Sequence, residues 1–240
     1  PPGADPAGSS IRFHHAYRPC AIVGGDFFHI QQISDLAAGV FIADVMGHGV
    51  RAALVTAMLR AMLEELGPQS KEPGELLTQL NRRLSSILSR GDRDVVYATA
   101  LYFIANAATH TVQCATAGHP TPLHARRRHH KVESLQHAEP GTILGLFEDM
   151  TYQTTEWRVE PGDSILLFTD GIVEVQDSRG EEFGVTRMLA TLSGMLNASM
   201  AQALEQVIEA ALQHAANHQF TDDVCLLAID FNDKLTGPTR

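Results

Sequence analysis

Four acidic positions lie at the margins of apolar runs: Asp26, Asp44, Asp170 and the pair Asp222-Asp223. Val40 to Ala43 reads as a buried strand that ends directly at Asp44, and Ile165 to Phe168 repeats the arrangement before Thr169-Asp170-Gly171. Asp26 follows the paired glycines 24 and 25, and Asp222-Asp223 precedes the last apolar run. A carboxylate at the end of a buried strand is fixed by the sheet and exposed at its edge. Taken singly, such an Asp is usually a turn former or a helix cap. The same setting repeated four times points to strand ends converging on a cation site, because gathered carboxylates repel unless a cation neutralises them. An all-oxygen donor set favours a hard ion, Mg²⁺ or Mn²⁺, over zinc or copper. Two such ions can share a carboxylate and activate a bridging water for in-line attack on phosphorus.

The elements that must position these residues follow from hydrophobic periodicity. Strands are expected over Ile11 to Arg18, Ala21 to Ile30 (interrupted at Gly24-Gly25-Asp26) and Leu36 to Ala43, with Gln31 to Asp35 as a hairpin connection. After a turn on Gly47 and Gly49 comes a helix from Val50, apolar almost all round, which predicts a helix sandwiched between a sheet and another element. A second helix spans about Gly74 to Ser89. Strands follow over Val95 to Asn106, Thr111 to Ala117, Pro122 to Ala125, Tyr152 to Val159 and Ser164 to Phe168. Two more helices are expected, Val185 to Leu196 and one capped by Ser199 with Gln202 three residues on, before a last strand, Val224 to Phe231. Helices paired around a run of antiparallel strands define an α+β class, two sheets face to face with a helix pair outside each.

Composition narrows the functional classes. The 240 residues carry 18 Lys and Arg against 28 Asp and Glu, a net charge of −10, which disfavours broad nucleic-acid or anionic-membrane binding. The His-rich basic stretch 126–131 is too short, and too poor in aromatics, for a nucleic-acid patch and reads as a solvated hairpin tip. Cys20, Cys114 and Cys225 have no paired spacing and read as small core residues. No apolar run reaches membrane-spanning length and no signal peptide is visible, so a cytoplasmic domain without direct membrane insertion is expected. Residues 1–10 read as a linker from an upstream domain, 11–232 as the folded domain and 233–240 as a tail.

The motifs Val-Gly-Gly-Asp-Phe-Phe (23–28), Ala-Asp-Val-Met-Gly-His-Gly-Val-Arg-Ala-Ala-Leu (43–54), Ala-Gly-His-Pro (117–120), Leu-Gly-Leu (144–146), Phe-Thr-Asp-Gly-Ile-Val-Glu (168–174) and Thr-Asp-Asp-Val (221–224) stand in this order. The chain closely resembles PPM-type metal-dependent serine/threonine phosphatases of the SpoIIE/RsbU branch from about residue 11 to 231. That resemblance implies a four-layer αββα sandwich with two mainly antiparallel sheets and a metal site between them at one end. It implies two Mn²⁺ or Mg²⁺ ions, with Asp44 bridging both, the Val45 carbonyl as a further ligand, and Asp170 and Asp222 on one metal. Asp26 stands at the matching acidic position of the first motif. Asp223 is the weaker choice, because adjacent strand residues face opposite sides.

The implied reaction is direct hydrolysis of phosphoserine or phosphothreonine by metal-activated water, without a phosphoenzyme. Asp44 and Asp170 are its catalytic carboxylates. His48 is a candidate proton donor, with a packing role the stronger reading, and His119 reads as a turn-stabilising residue. His29 stands where relatives commonly carry an acid and should face away from the metals. Cys225 replaces the usual Thr after the Asp-Asp pair, with an expected softening of the geometry at Asp222. The sequence lacks a catalytic Cys-x₅-Arg loop at Cys20, and Gly-Gly-Asp-Phe-Phe is only a superficial match to diguanylate cyclases. The implied substrate is an anti-sigma-factor antagonist in partner switching, with an upstream sensory domain acting through the helices at 50–66 and 74–89 and a homodimer as one arrangement. The alternative is a catalytically weak or inactive phosphatase-fold binding module.

Overall fold

The computed structural model describes residues 10–20, 24–47, 49–67, 70, 72–88, 96–136 and 141–232. Its elements in chain order are β1 (Ile11–Arg18), β2 (Phe27–Ser34), β3 (Ala37–Val45), α1 (Val50–Leu66), α2 (Pro73–Leu88), β4 (Ala98–Asn106) and β5 (Thr111–Ala117). Then come β6 (Leu123–Arg126), β7 (Lys131–Ser134), β8 (Thr155–Arg158), β9 (Ser164–Phe168), α3 (Gly184–Gly194), α4 (Met200–His214) and β10 (Val224–Phe231). Two five-stranded antiparallel sheets result, ordered β1-β10-β9-β6-β7 and β2-β3-β4-β5-β8.

Strand alternation builds three apolar layers. Val40 and Ile42 of β3 join Leu101, Phe103, Ile165, Leu167, Leu227 and Ile229 between the sheets. Phe41 and Ala43, one residue out of step, face α1 and α2 with Leu59, Leu63, Leu77 and Leu80. Leu166, Phe168 and Leu226 face α3 and α4 with Met188, Leu204 and Val207. Each large side chain buried in this way contributes about 1.5–3 kcal/mol. The expected αββα layering is therefore the observed one.

Local signals succeeded where side chains speak directly to the backbone. Ser199 Oγ accepts the Gln202 N–H at 3.3 Å and the Gln202 side chain accepts the Ser199 N–H at 3.2 Å, closing the expected capping box on α4. Four expectations need correction. Gln31 to Asp35 is not a loop: β2 continues to Ser34, and pairing with β3 leaves only a tight turn. Tyr152 to Val159 contributes only four strand residues, because β8 pairs with β5 only from Thr155 to Arg158. The basic tip leads into a strand the periodicity did not show, β7, paired with β6. Helix α1 is not covered all round: Val50 is 76% and Leu54 59% exposed, while Ala52, Val55 and Leu59 are buried. The expected starts at Ala21 and Val95 and the expected end at Ser89 lie outside the described residues.

The antiparallel order brings chain ends from both sheets to one edge. The start of β2 and the end of β3 meet there, with Phe27 opposite Ala43, and Asp44 is opposite Thr99 at the start of β4. From the other sheet come the end of β9 and the start of β10, with Phe168 opposite Leu226.

Candidate metal centre

The same alternation that sorts the core aims the acids. Asp44 continues the parity of Val40 and Ile42, and Asp26 that of Phe28 and Ile30, so both carboxylates enter the space between the sheets. After Asp44 the chain turns through Gly47 and Gly49 at φ 86° and 84°, in the left-handed region that disfavours side chains, and α1 begins. Gly25 lies under this turn. A Cβ there would stand 2.4 Å from the Val45 carbonyl and 3.1 Å from Asp44 Oδ1, so only glycine lets the Asp26 loop close on both groups. The Val45 N–H also donates to the Gly25 carbonyl at 3.3 Å.

Thr169 joins the two sheets at this point. Fully buried, it donates from Oγ1 to Asp26 Oδ2 at 2.6 Å and accepts the Cys225 N–H at 2.9 Å. Asp170 opens a single 3₁₀ turn (Asp170–Ile172) beyond β9. Asp222 and Asp223 lie just before β10 and differ in burial. Asp223 is buried, accepting the Cys20 N–H at 2.8 Å, and its carboxylate fills the space where a Cβ of Gly24 would sit. Asp222 is exposed and accepts the Asp223 N–H at 2.8 Å.

Electrostatics tie these groups into one cluster. Burial pushes the Asp26 carboxyl up strongly, and the charges of Asp44, Asp223 and Asp170 add to the rise against the opposing Thr169 hydrogen bond. Burial likewise raises Asp44, helped by Asp170 and Asp222, while a hydrogen bond with Asp26 acts the other way. Asp170 is raised by burial and by Asp222. Three acids thus hold protons above the usual carboxylate range. Oxygen donors in this state, with the Val45 carbonyl beside them, suit a hard divalent cation that replaces the protons. Among the described residues no group of three or more His, Cys, Asp or Glu side chains closes tightly enough to hold an ion without further help.

Several neighbours of the cluster carry no role expected from the sequence. Thr169 and Glu174 lie within the motif 168–174. Glu174 is raised by burial and by Asp170, Glu182 and Asp222, and it lines a cleft of about 380 Å³ with Asp222 and Gly171. Tyr17, whose hydroxyl is 3.5 Å from the Asp26 carbonyl, is pushed up to about 12 by burial and by Asp223 and Asp26. The hydroxyl-before-acid pair Thr169-Asp170 was the available signal. His29 faces α1, where Glu64 and Arg60 act on it, away from the carboxylates. The Cys225 thiol lies in the inter-sheet core, and the acids whose charges reach it are Asp26 and Asp223. His48 lies outside the described residues.

Layers and strand order together are those of the PP2C-type phosphatase fold. The SiaA-PP2C domain of Pseudomonas aeruginosa superposes with a TM-score of 0.79 at 22% identity over 92% of this chain and 86% of that one. The SpoIIE phosphatase domain of Bacillus subtilis, solved with a fragment of its regulatory domain, gives 0.75 at 18% identity over 92% and 63%. The chain belongs to the SpoIIE family: the family model for Stage II sporulation protein E matches residues 34–232. Among curated relatives, the phosphoserine phosphatases RsbP and RsbU of Bacillus subtilis are each 26% identical, over 92% and 88% of this chain. The chain spans 52% and 60% of their lengths. Among the described residues, no helix is long and apolar enough to cross a membrane.

Proposed function

We propose that this domain is a protein phosphatase that hydrolyses phosphoserine or phosphothreonine. The observation that carries the reading is the convergence of Asp26, Asp44 and Asp170 at one edge of a PP2C-type sandwich, where burial raises all three, Asp170 adds to the rise of Asp44, and both add to that of Asp26. Asp44, Asp170, Asp222, Asp26 and the Val45 carbonyl would hold two Mn²⁺ or Mg²⁺ ions, with Asp223 reserved for the Cys20 and Gly24 loop. A structural neighbour, RsbX, was solved in complex with magnesium. When bound, the ions supply charge neutralisation at phosphorus and an acidified water.

The chain's own residues do the rest. Asp44 and Asp170 approach from opposite sheets, so the ions are held only when the strand ends keep their spacing. Thr169 fixes Asp26 by donation and thereby leaves the other carboxylate oxygen for ligation. The inter-sheet core closes the site from behind and keeps water to the open edge.

The relatives RsbU and RsbP support a substrate of the partner-switching type, a phosphorylated anti-sigma-factor antagonist, and control by a sensory domain elsewhere in a longer protein. The exposed apolar side chains of Met46, Val50 and Leu54, immediately after Asp44, suit a regulatory contact acting through α1. The reading is tested by phosphate release from a phosphoserine protein with and without Mn²⁺, in the wild type and in Asp44→Asn and Asp170→Asn. Mn²⁺-dependent release lost in both variants is expected. Equal release in all three proteins overturns the mechanism, and no release in any points to the binding-module alternative.

A further inference from the structure

We propose that His119 is a positioning residue, a strut between the sheets that sets the spacing of the Asp44 and Asp170 halves of the metal centre. The inference rests on the metal-site reading above and goes beyond it, because His119 is not itself a ligand. Its loop is locked from both sides: the His119 N–H donates to Thr116 Oγ1 at 3.1 Å, and Thr116 Oγ1 donates to the His119 carbonyl at 3.2 Å. The neighbouring Gly118 bridges to Ala100 of β4. The loop is therefore fixed at the edge where the carboxylates gather, with His119 only 6% exposed.

Its two nitrogens look toward different sheets. Nδ1 is 2.9 Å from Thr99 Oγ1, and Thr99 is the residue paired with Asp44 across β3 and β4. Nε2 is buried without a partner of full hydrogen-bond geometry, and the backbone that acts on the ring is that of Phe168, the last residue of β9 before Thr169 and Asp170. One buried side chain thus contacts the residue opposite Asp44 and lies within reach of the backbone two residues before Asp170. A turn-stabilising role accounts for the Thr116 contacts. It does not account for an imidazole bonded to Thr99 whose other nitrogen is buried and unpaired.

A strut of this kind acts on cation affinity more than on folding. The experiment is Mn²⁺ titration by calorimetry on the 240-residue chain, with metal-free thermal unfolding run in parallel, for His119→Ala, His119→Gln, Thr99→Val and the His119→Ala/Thr99→Val double variant. Single variants are expected to raise the Mn²⁺ Kd by about 10-fold, the scale for groups that orient ligands indirectly. The double variant should stay within about twofold of His119→Ala, because the two residues share one contact. His119→Gln, which keeps a donor at the Nε2 position, should recover part of the loss. Turnover should fall through kcat with KM for the phosphoprotein unchanged. A Mn²⁺ Kd within about twofold of wild type in a folded Thr99→Val or His119→Ala protein overturns the strut. Failure of the wild type to bind Mn²⁺ overturns the metal-site reading instead.

Discussion

The two ends of β9 carry acids that lead opposite lives. At its start, Asp163 is almost fully buried, yet its carboxyl is held below the usual range. Burial works to raise it, but the His124 Nε2 contact at 2.8 Å and the Glu160 N–H donated to the same oxygen at 2.9 Å outweigh that. At its far end, Asp170 is raised by burial and by Asp222, and it raises Asp26 and Asp44 in turn. Both ends place aspartate beside an apolar strand of the same sheet. Backbone N–H groups lower both acids; what differs is the side-chain company, a histidine at one end and other carboxylates at the other. Burial therefore does not distinguish a structural acid from a candidate ligand; the sign of the neighbouring charge does.

The contrast breaks most sharply by neutralising one acid at each end. Asp44→Asn should lower Mn²⁺-dependent phosphate release by more than about 100-fold, since even groups that only orient ligands account for 10- to 100-fold. The same substitution should raise the metal-free melting temperature, because it removes a like charge from the cluster. Asp163→Ala should do the reverse. It strands a buried His124 and the Glu160 N–H, costing about 3 kcal/mol in denaturant unfolding, while Mn²⁺ affinity of the folded protein is unchanged. A smaller effect is expected for Thr169→Val, which removes the Asp26 contact and the acceptor for the Cys225 N–H. Mn²⁺ titration should show about a 10-fold weaker Kd, with about 1–2 kcal/mol lost in stability.

Which end is which was partly legible in the sequence. Asp44 and Asp170 follow continuous apolar runs, so the strand ends and their acids could be read together. Alternation then put Asp26 and Asp44 on the inter-sheet face and His29 on the other. The pairing of Asp163 with His124 could not be read, because 39 residues separate them and the contact exists only through the β6–β9 register. Thr169 escaped for a similar reason: its partner Asp26 is 143 residues away on the other sheet. Gly118 and Pro120 mark His119 as a turn residue, and its backbone does serve the turn. Its side chain's role depends on the packing of two sheets, which no local pattern encodes. The exposed face of α1 was missed because apolar composition alone says nothing of what covers it.

The gentlest test of the comparison is pH. An acid whose folded pKa is raised binds its proton more tightly in the native state. It therefore contributes stability that is complete below the ordinary carboxylate value of 3.8 and is lost as pH climbs through the raised value. For Asp26, Asp44 and Asp170 this means that the metal-free protein weakens as pH rises from about 4 through neutrality. Asp163 has the opposite sign: its contribution is present above the ordinary value and disappears as pH falls through its lowered one. Denaturant unfolding followed from pH 4 to 8 should show declining stability without metal, and saturating Mn²⁺ should flatten or reverse the slope by replacing the protons. Asp44→Asn should flatten the metal-free slope and make it indifferent to Mn²⁺. Asp163→Asn should leave the slope above pH 5 untouched and change only its acid limb. A metal-free slope that persists unchanged in Asp44→Asn would show that the carboxylates at the far end of β9 do not titrate as one cluster.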